Sequence, residues 1–343
     1  MDAEASGAAI IEVIAAVIVS APTRRPGWDR RRRAFDQSLF IGAQASQTRR
    51  TGGFPYAGRG MHALDEVAHW PVDVAAVATA RTGPHGLGPV ASVGPPDRAL
   101  PWASVTKLAT ALAVLVAVEE GTLDLDQPAG PPDSTVRHLL AHASGLGPDA
   151  GPPVEAPGAR RIYSNAGYEE LGRLVERASG MAFPAYLTAG VLEPLGMDGT
   201  VPTDVASGSA AAGLVGPLID LVALGREWAV PTLVSRATWG EATSVQFPGL
   251  AGVLPGFGPF DPCDWGLGVE IKGGKRPHWT GPSNAPSTFG HFGQSGSFLW
   301  VDPAAGVLCC GLAARSFGVW SSRAWPTLCE AVLTEWAASG PPT

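Results

Sequence analysis

From residue 61 onward, strand-like and helix-like hydrophobic patterns occupy different parts of the chain, and this separation is the strongest constraint on the fold. Strand-like runs lie near both ends, and a Gly-Pro turn between the first two predicts a β-hairpin. Hairpin-like links favour antiparallel pairing. The predicted strands cover residues 72–80, 89–93, 266–271, 297–301 and 306–313.

Helical spacing of apolar residues is found between and after these strands. It is strongest from Ser104 to Glu120, where Gly121 ends the segment, and it recurs at 168–179, 217–228 and 324–338. Because strands occur at both ends and helices between them, we predict an α+β fold, an antiparallel sheet flanked by helices with a helical lobe inserted. The sheet is expected from residues 61–121 and 261–343, and the lobe from about 122–260.

Composition and charge indicate a globular protein and argue against a nucleic-acid partner. The chain is 45% hydrophobic and 16% charged, which is typical of a globular protein. Residues 1–60 carry nine Arg and five acidic residues, whereas the remainder carries fifteen basic and twenty-six acidic residues. An acidic body repels phosphate backbones, so we expect no nucleic-acid partner.

Residues 1–60 differ from the rest of the chain, and we expect an atypical, Arg-rich and poorly ordered leader ahead of one domain at 61–343. The apolar stretch at 8–21 is shorter than the roughly twenty residues of a membrane span. It follows acidic residues, where a signal peptide requires positive charge. No clear membrane association is therefore expected, and a cytoplasmic location is favoured.

The first chemical motif is Ser104-Val105-Thr106-Lys107, at the start of the strongest predicted helix. Positions i and i+3 share a helix face, so the hydroxyl and the amine can meet. A buried lysine with a lowered pKa can take the serine proton. The bare tetrapeptide is also compatible with a capping serine and an exposed lysine.

Two further elements favour the catalytic interpretation of Ser104 and Lys107 over the structural one. They are Tyr163-Ser164-Asn165 and, near the other end, His291-Phe292-Gly293 at the opening of a Gly-rich strand. In this order the three motifs resemble the Ser-x-x-Lys, Tyr-x-Asn and Lys/His-x-Gly motifs of the β-lactamase/penicillin-binding-protein-like serine hydrolases. The resemblance is to relatives of class C β-lactamases, including esterases and D-aminopeptidases. It covers about residues 62–340.

The resemblance implies a β-lactamase/transpeptidase-like fold and a role for each motif residue. Ser104 is the implied nucleophile, Lys107 its base and Tyr163 the proton relay. Asn165 orients Lys107 and the acyl side of the substrate. The backbone N–H groups of Ser104 and Gln294 form the oxyanion hole, and Gly293 belongs to the same strand motif. His291 orients the site or meets a substrate carboxylate.

Each of the later motif residues also has a plain structural interpretation. Tyr163 can be an ordinary loop tyrosine, Asn165 a helix cap and His291 a strand-edge histidine. The pair His138 and His142 has metal-ligand spacing, but without the catalytic glutamate of zinc proteases, and we favour a structural role. We interpret the adjacent cysteines 309 and 310 as small hydrophobic residues.

Two departures from the family pattern bear on the substrate. His291 stands where many relatives have lysine, and Phe292 stands where penicillin-hydrolysing relatives often have threonine. We therefore expect an enzyme, a serine hydrolase that forms an acyl-enzyme on small esters, amides or β-lactam-like molecules, with no cofactor and no metal. The alternatives are a slowly deacylating penicillin-binding or D-Ala peptidase-like protein and a non-catalytic binding member. Oligomeric state does not follow from these residues.

Overall fold

The computed structural model describes residues 61–83, 86–203 and 209–338. The predicted poorly ordered leader at 1–60 lies outside these residues, so that expectation stays a prediction. Within the described residues, a 3₁₀ helix spans His62–His69, a 3₁₀ turn spans Ala103–Val105 and a π-helical turn spans Thr188–Leu192.

The remaining elements are numbered in chain order. The strands are β1 Ala75–Gly83, β2 Gly86–Leu87, β3 Ala91–Val93, β4 Leu100–Pro101, β5 Val201–Pro202, β6 Leu214–Gly216, β7 Gly252–Leu254, β8 Gly258–Phe260, β9 Glu270–Ile271, β10 Phe289–Gly293, β11 Ser297–Asp302 and β12 Val307–Ala313. The helices are α1 Thr106–Glu119, α2 Val136–Leu140, α3 Asn165–Ser179, α4 Phe183–Leu187, α5 Ser209–Ala212, α6 Leu218–Ala229, α7 Arg236–Ala242 and α8 Val319–Ala338.

The main sheet joins the two ends of the described chain. Its order is β2-β1-β12-β11-β10-β9, with β3 also paired to β1, and the pairings are antiparallel. The register of the first and last strands runs from Ala75 opposite Ala313 to Arg81 opposite Val307. The α+β class and the antiparallel sheet predicted from the sequence are confirmed. Smaller strand pairs β4-β6-β5 and β7-β8 lie outside this sheet.

Both faces of the sheet are covered, which explains why β12 is buried along its whole length. Leu308 and Cys310 belong to the core that α1 and α6 also line, whereas Val307 and Cys309 belong to the core shared with α8. Side chains alternate between the faces of a strand, so the adjacent cysteines pack into two different cores. Both thiols are free and buried.

Helix α1 passes through the larger core. Its side chains are buried from Thr106 through Ala117, consistent with its apolar composition on all sides. The sequence predicted one helix from residue 104, but the segment begins with the 3₁₀ turn Ala103–Val105, and only then becomes α-helical. Ser104 therefore lies on a turn just before the first residue of the α-helix.

Two predicted elements have different bounds. The strand expected at 266–271 is reduced to β9, because Gly268 adopts a φ of +94° and packs its backbone against Ala111 of α1. The terminal helix expected from 324 begins at Val319 and contains Pro326. None of the helices within the described ranges is both long and apolar enough to span a bilayer.

We expect Gly268→Ala to reduce the free energy of unfolding by about 3 kcal/mol or more, because two costs combine. The substituted Cβ would lie 2.2 Å from Ala111 Cβ, and alanine would have to adopt the left-handed φ. Urea denaturation measures the loss. Gly240→Ala, in α7 with open space around its Cβ, is the matched control and should be neutral or slightly stabilising. Equal losses in the two variants would contradict this explanation.

Candidate active site

The turn that carries Ser104 is tied to the end of the main sheet. The Ser297 hydroxyl donates to the carbonyl of Trp102 at 2.6 Å, and the Ser295 hydroxyl donates to the carbonyl of Pro101 at 2.7 Å. Ala103, directly before the serine, has a φ of +44°, a conformation that non-glycine residues rarely adopt. Such backbone strain is characteristic of functional sites, and here it directly precedes Ser104.

Lys107 lies one helical turn after Ser104 and is fully buried. Its Nζ is 3.4 Å from the Ser104 hydroxyl oxygen, 2.8 Å from Asn165 Oδ1 and 2.8 Å from the carbonyl oxygen of Ala211. All three contacts are within hydrogen-bonding reach, and they come from three separate segments of the chain. The amine is therefore held in one position from three directions.

Burial lowers the pKa of Lys107 from 10.5 to about 7, and the charge of Glu169 opposes this shift. Near neutral pH a large fraction of the amine is therefore uncharged. A neutral amine has two N–H groups and one lone pair. Asn165 Oδ1 and the Ala211 carbonyl can only accept, so they take the two N–H groups, and the lone pair is left for the Ser104 hydroxyl.

The phenol of Tyr163 completes this group of side chains. Its ring centroid is 4.9 Å from Lys107 Nζ, and Ser104 is close enough to influence the pKa of its hydroxyl. Burial raises the pKa of Tyr163, and the interaction with Ser104 opposes part of that rise. The phenol stays protonated at neutral pH and can act as a donor. The structure thus brings Ser104, Lys107, Tyr163 and Asn165 together at one place.

His142 packs against the Tyr163 ring and accepts a hydrogen bond from the next residue along the chain. The backbone N–H of Ser164 donates to His142 Nδ1 at 3.1 Å, and the imidazole lies 4.6 Å from the Tyr163 ring. Trp265 meets the same imidazole edge-on at 4.6 Å. Because Nδ1 accepts, the proton of this histidine is on Nε2, and burial keeps the pKa of His142 well below its ordinary value.

His138 and His142 have metal-ligand spacing along the chain, but each imidazole makes its own separate local contact. Helix α2 ends at Leu140, and His142 follows with a φ of +55°. His138 Nδ1 is paired with the Thr135 hydroxyl at 2.8 Å instead. No cluster of three or more potential metal ligands was found among residues 61–83, 86–203 and 209–338.

His291 lies on β10, on the same side of the sheet as Tyr163, with the two rings 5.9 Å apart. The motif closes this strand rather than opening it. His291 Nδ1 donates to the carbonyl of Phe292 at 2.7 Å, which leaves Nε2 as an acceptor. Burial and the neighbouring charge of Lys107 lower the pKa of His291 to about 3. The imidazole is therefore neutral at physiological pH and provides no positive charge for a carboxylate.

Gly293 allows the end of β10 to touch the turn that carries Ser104. A Cβ at this position would lie 2.5 Å from the carbonyl oxygen of Trp102 and 2.3 Å from the Ser297 hydroxyl oxygen. Only glycine permits this approach without displacement. Gln294 follows at once and is exposed, so its backbone lies just beyond the contact between β10 and the turn.

Three contributors to the site were not predicted from the sequence. No sequence pattern marks the Ala211 carbonyl, because every residue has a backbone carbonyl. His142 acts through its position in a turn, which its spacing from His138 does not reveal. Glu169 could have been found, since it lies four residues after Asn165 and therefore on the same face of α3. It accepts the backbone N–H of Ala211 at 3.0 Å.

Ser104, Lys107, Tyr163 and the glycine-containing end of β10 meet on a β-lactamase/transpeptidase-like fold. The beta-lactamase family model matches residues 89–328, and the chain belongs to this family. This family acts on small-molecule substrates.

Three proteins similar to this chain are a beta-lactamase, an esterase and a penicillin-binding protein homologue. A beta-lactamase from Mycobacterium bovis is 49% identical, with a TM-score of 0.76, over 80% of this chain and 99% of that structure. Esterase EstB from Burkholderia gladioli is 34% identical over 28% of this chain and 36% of its own length, so the match spans about a third of that esterase. A penicillin-binding protein homologue from Pyrococcus abyssi shares the fold at 21% identity, with a TM-score of 0.60 over 79% of this chain and 75% of that one.

The buried lysine should leave a signature in folding stability. Between pH 7 and 10.5 the unfolded chain binds a proton at Lys107 that the folded chain does not, so the wild type is stabilised as pH rises through this window. We expect the free energy of unfolding of the wild type minus that of Lys107→Met to increase by about 2–4 kcal/mol from pH 7 to 10. Urea denaturation at several pH values measures it, and a pH-independent difference would contradict the lowered pKa.

Proposed function

We propose that this protein is a serine hydrolase that forms an acyl-enzyme on Ser104 and acts on small neutral esters. The observation that supports this most directly is the partition of hydrogen bonds around Lys107. The two partners of Lys107 other than Ser104 are acceptors only, so the neutral amine directs its lone pair at the serine hydroxyl. That is the arrangement a general base requires.

In the proposed acylation step, Ser104 Oγ forms a bond to the acyl carbon while its proton passes to Lys107 Nζ. The negative charge that develops on the carbonyl oxygen is stabilised by the backbone N–H groups of Ser104 and Gln294, at about 3 kcal/mol for each donor. The bond to the leaving oxygen then breaks. Tyr163 donates its proton to that oxygen and is reprotonated from the Lys107 ammonium, which restores the neutral amine.

Deacylation uses the same groups, and the proton passes between them in the opposite direction. A water oxygen attacks the acyl carbon, and its proton passes through Tyr163 to Lys107. The Ser104–acyl bond breaks, and Ser104 Oγ takes the proton from the Lys107 ammonium as the acid departs, which restores the neutral amine. Asn165 keeps the lysine amine in position throughout, through its hydrogen bond to Nζ. His291 packs beside Tyr163 and helps to orient its ring.

The preference for neutral esters over β-lactams follows from His291 and Phe292. A β-lactam antibiotic carries a carboxylate, which requires a cation and hydroxyl donors. His291 is neutral because burial lowers its pKa to about 3, and Phe292 has no hydroxyl. The relative named as an esterase matches over about a third of its length, and the 49% identical relative is named a beta-lactamase, so this preference rests on His291 and Phe292 alone.

We expect wild-type protein to hydrolyse short-chain 4-nitrophenyl esters and Ser104→Ala to lose about 10³-fold or more in kcat/KM. The matched control is Ser283→Ala, which removes an exposed serine that hydrogen-bonds to Glu330. That control should keep wild-type rates and wild-type labelling by a fluorophosphonate probe.

The same panel includes nitrocefin, penicillin and D-amino-acid peptides, which separates the rival functions. A stable penicillin adduct with little ester turnover would favour a slowly deacylating protein. Normal folding without any turnover or labelling would indicate a binding protein. Equal ester hydrolysis by wild type and Ser104→Ala would refute Ser104 as nucleophile.

A second test uses pH. Because only neutral Lys107 can accept the serine proton, kcat/KM should rise with pH and level off above the lysine pKa of about 7. Glu169→Gln removes the charge that raises this pKa, so the rising limb should move to lower pH. Glu170→Gln is the control, since Glu170 pairs with Arg173 and Arg177. A limb that Glu169→Gln leaves unmoved would contradict the influence of Glu169 on the titrating base.

A further inference from the structure

Three phenylalanines form a compact aromatic surface that takes no part in the proposed proton transfers. The ring centroids of Phe257 and Phe292 are 5.8 Å apart, those of Phe257 and Phe317 are 5.8 Å apart, and those of Phe292 and Phe317 are 5.0 Å apart. All three side chains are only partly buried. We call Phe257, Phe292 and Phe317 the aromatic wall.

The aromatic wall has a rigid base. Trp279 and Trp325 are buried beneath it, with Trp279 5.6 Å from the Phe292 ring and Trp325 5.5 Å from the Phe317 ring. Gly256 has a φ of +81°, and a Cβ there would lie 2.5 Å from an edge carbon of Phe317. The wall is therefore backed by packed rings and backbone, and we expect its exposed face to be pre-organised for a ligand.

Its members are attached to both sides of the candidate active site. Phe292 follows His291 on β10, and the backbone N–H of Phe317 donates to the carbonyl of Gln294 at 2.9 Å. Phe257 lies on the turn between β7 and β8. That hairpin is joined to the Tyr163 segment, because the N–H of Arg161 donates to the carbonyl of Ala251 at 2.9 Å. The wall thus adjoins the position of the proposed oxyanion donor.

The charged and titratable groups near the wall are engaged elsewhere. His278, whose ring is 6.5 Å from Phe257, is buried and paired with Glu270 and with the Thr280 hydroxyl. The guanidinium of Arg315, two residues before Phe317, donates to the carbonyl of Pro71. A substrate group on the wall would therefore meet aromatic carbon rather than a cation.

We propose that the aromatic wall binds an apolar, uncharged group of the substrate, so that the preferred substrates are neutral esters with an aromatic or branched hydrocarbon group. This inference rests on the proposed ester hydrolase function and specifies its substrate class. Apolar surface that leaves water on binding provides the affinity, whereas a carboxylate in the same place would lose its hydration without gaining a partner.

The test compares matched esters on the full-length protein. In the acyl arm, 4-nitrophenyl 3-phenylpropanoate is compared with mono-4-nitrophenyl succinate; in the alcohol arm, benzyl acetate is compared with methyl acetate. We expect kcat/KM to favour the apolar member of at least one pair by about 100-fold, and Phe317→Leu or Phe292→Leu to reduce that preference by about tenfold. Phe260→Leu, on β8 outside the wall, is the control and should keep the preference.

The outcomes separate the two proposals. Ser104-dependent turnover with no apolar preference, or with a preference that the wall variants do not change, would overturn the aromatic wall and leave the hydrolase function intact. Absence of Ser104-dependent turnover would overturn the hydrolase function. The wall is then tested directly by thermal denaturation with 4-phenyl-2-butanone and its anionic counterpart 3-phenylpropanoate.

In that measurement the neutral ketone should raise the Tm of the wild type more than that of Phe317→Leu, because it binds the folded state. The carboxylate should raise neither. A ketone that stabilises both proteins equally, or neither of them, would overturn the proposal. Denaturation curves without ligand show whether each variant folds.

Discussion

The site depends on one buried amine. Lys107 is shielded from water by α1 and its neighbours, and this burial is what lowers its pKa to about 7. A buried charge without partners would be very unfavourable, but Asn165 and Ala211 supply acceptors for the N–H groups, and Glu169 supplies a nearby negative charge. The balance between desolvation and these partners determines whether the amine can take a proton near neutral pH.

The rest of the fold holds the partners of that amine in place. The main sheet supplies β10, whose final glycine packs against the Trp102 carbonyl next to Ser104. The hydroxyls of Ser295 and Ser297 tie the same turn to the β10–β11 connection. His142 and Trp265 pack around Tyr163. Three distant stretches of chain therefore meet because a sheet and a helix that is apolar on all sides bring them together.

Much of the architecture could be predicted because local patterns were strong. The α1 segment is apolar on every side, and the strands β11 and β12 are continuous apolar runs bounded by turns, so their existence was clear. The bounds were less predictable where tertiary contacts override local preference. Residues 266–269 have strand-like composition, yet Gly268 and Gly266 turn away from the sheet to pack on α1 and on the Ala242 carbonyl.

The amino-acid sequence by itself determined the order and chemical type of the motif residues, because those depend only on which side chains are present and how far apart they are along the chain. It also determined the fold class, because hydrophobic periodicity reports which faces are buried. Only the tertiary structure decided that His291 is buried beside the Tyr163 ring and that Lys107 Nζ meets Ser104, Asn165 and the Ala211 carbonyl. Both depend on burial and on neighbours from remote segments, including a backbone carbonyl that no side-chain pattern can reveal.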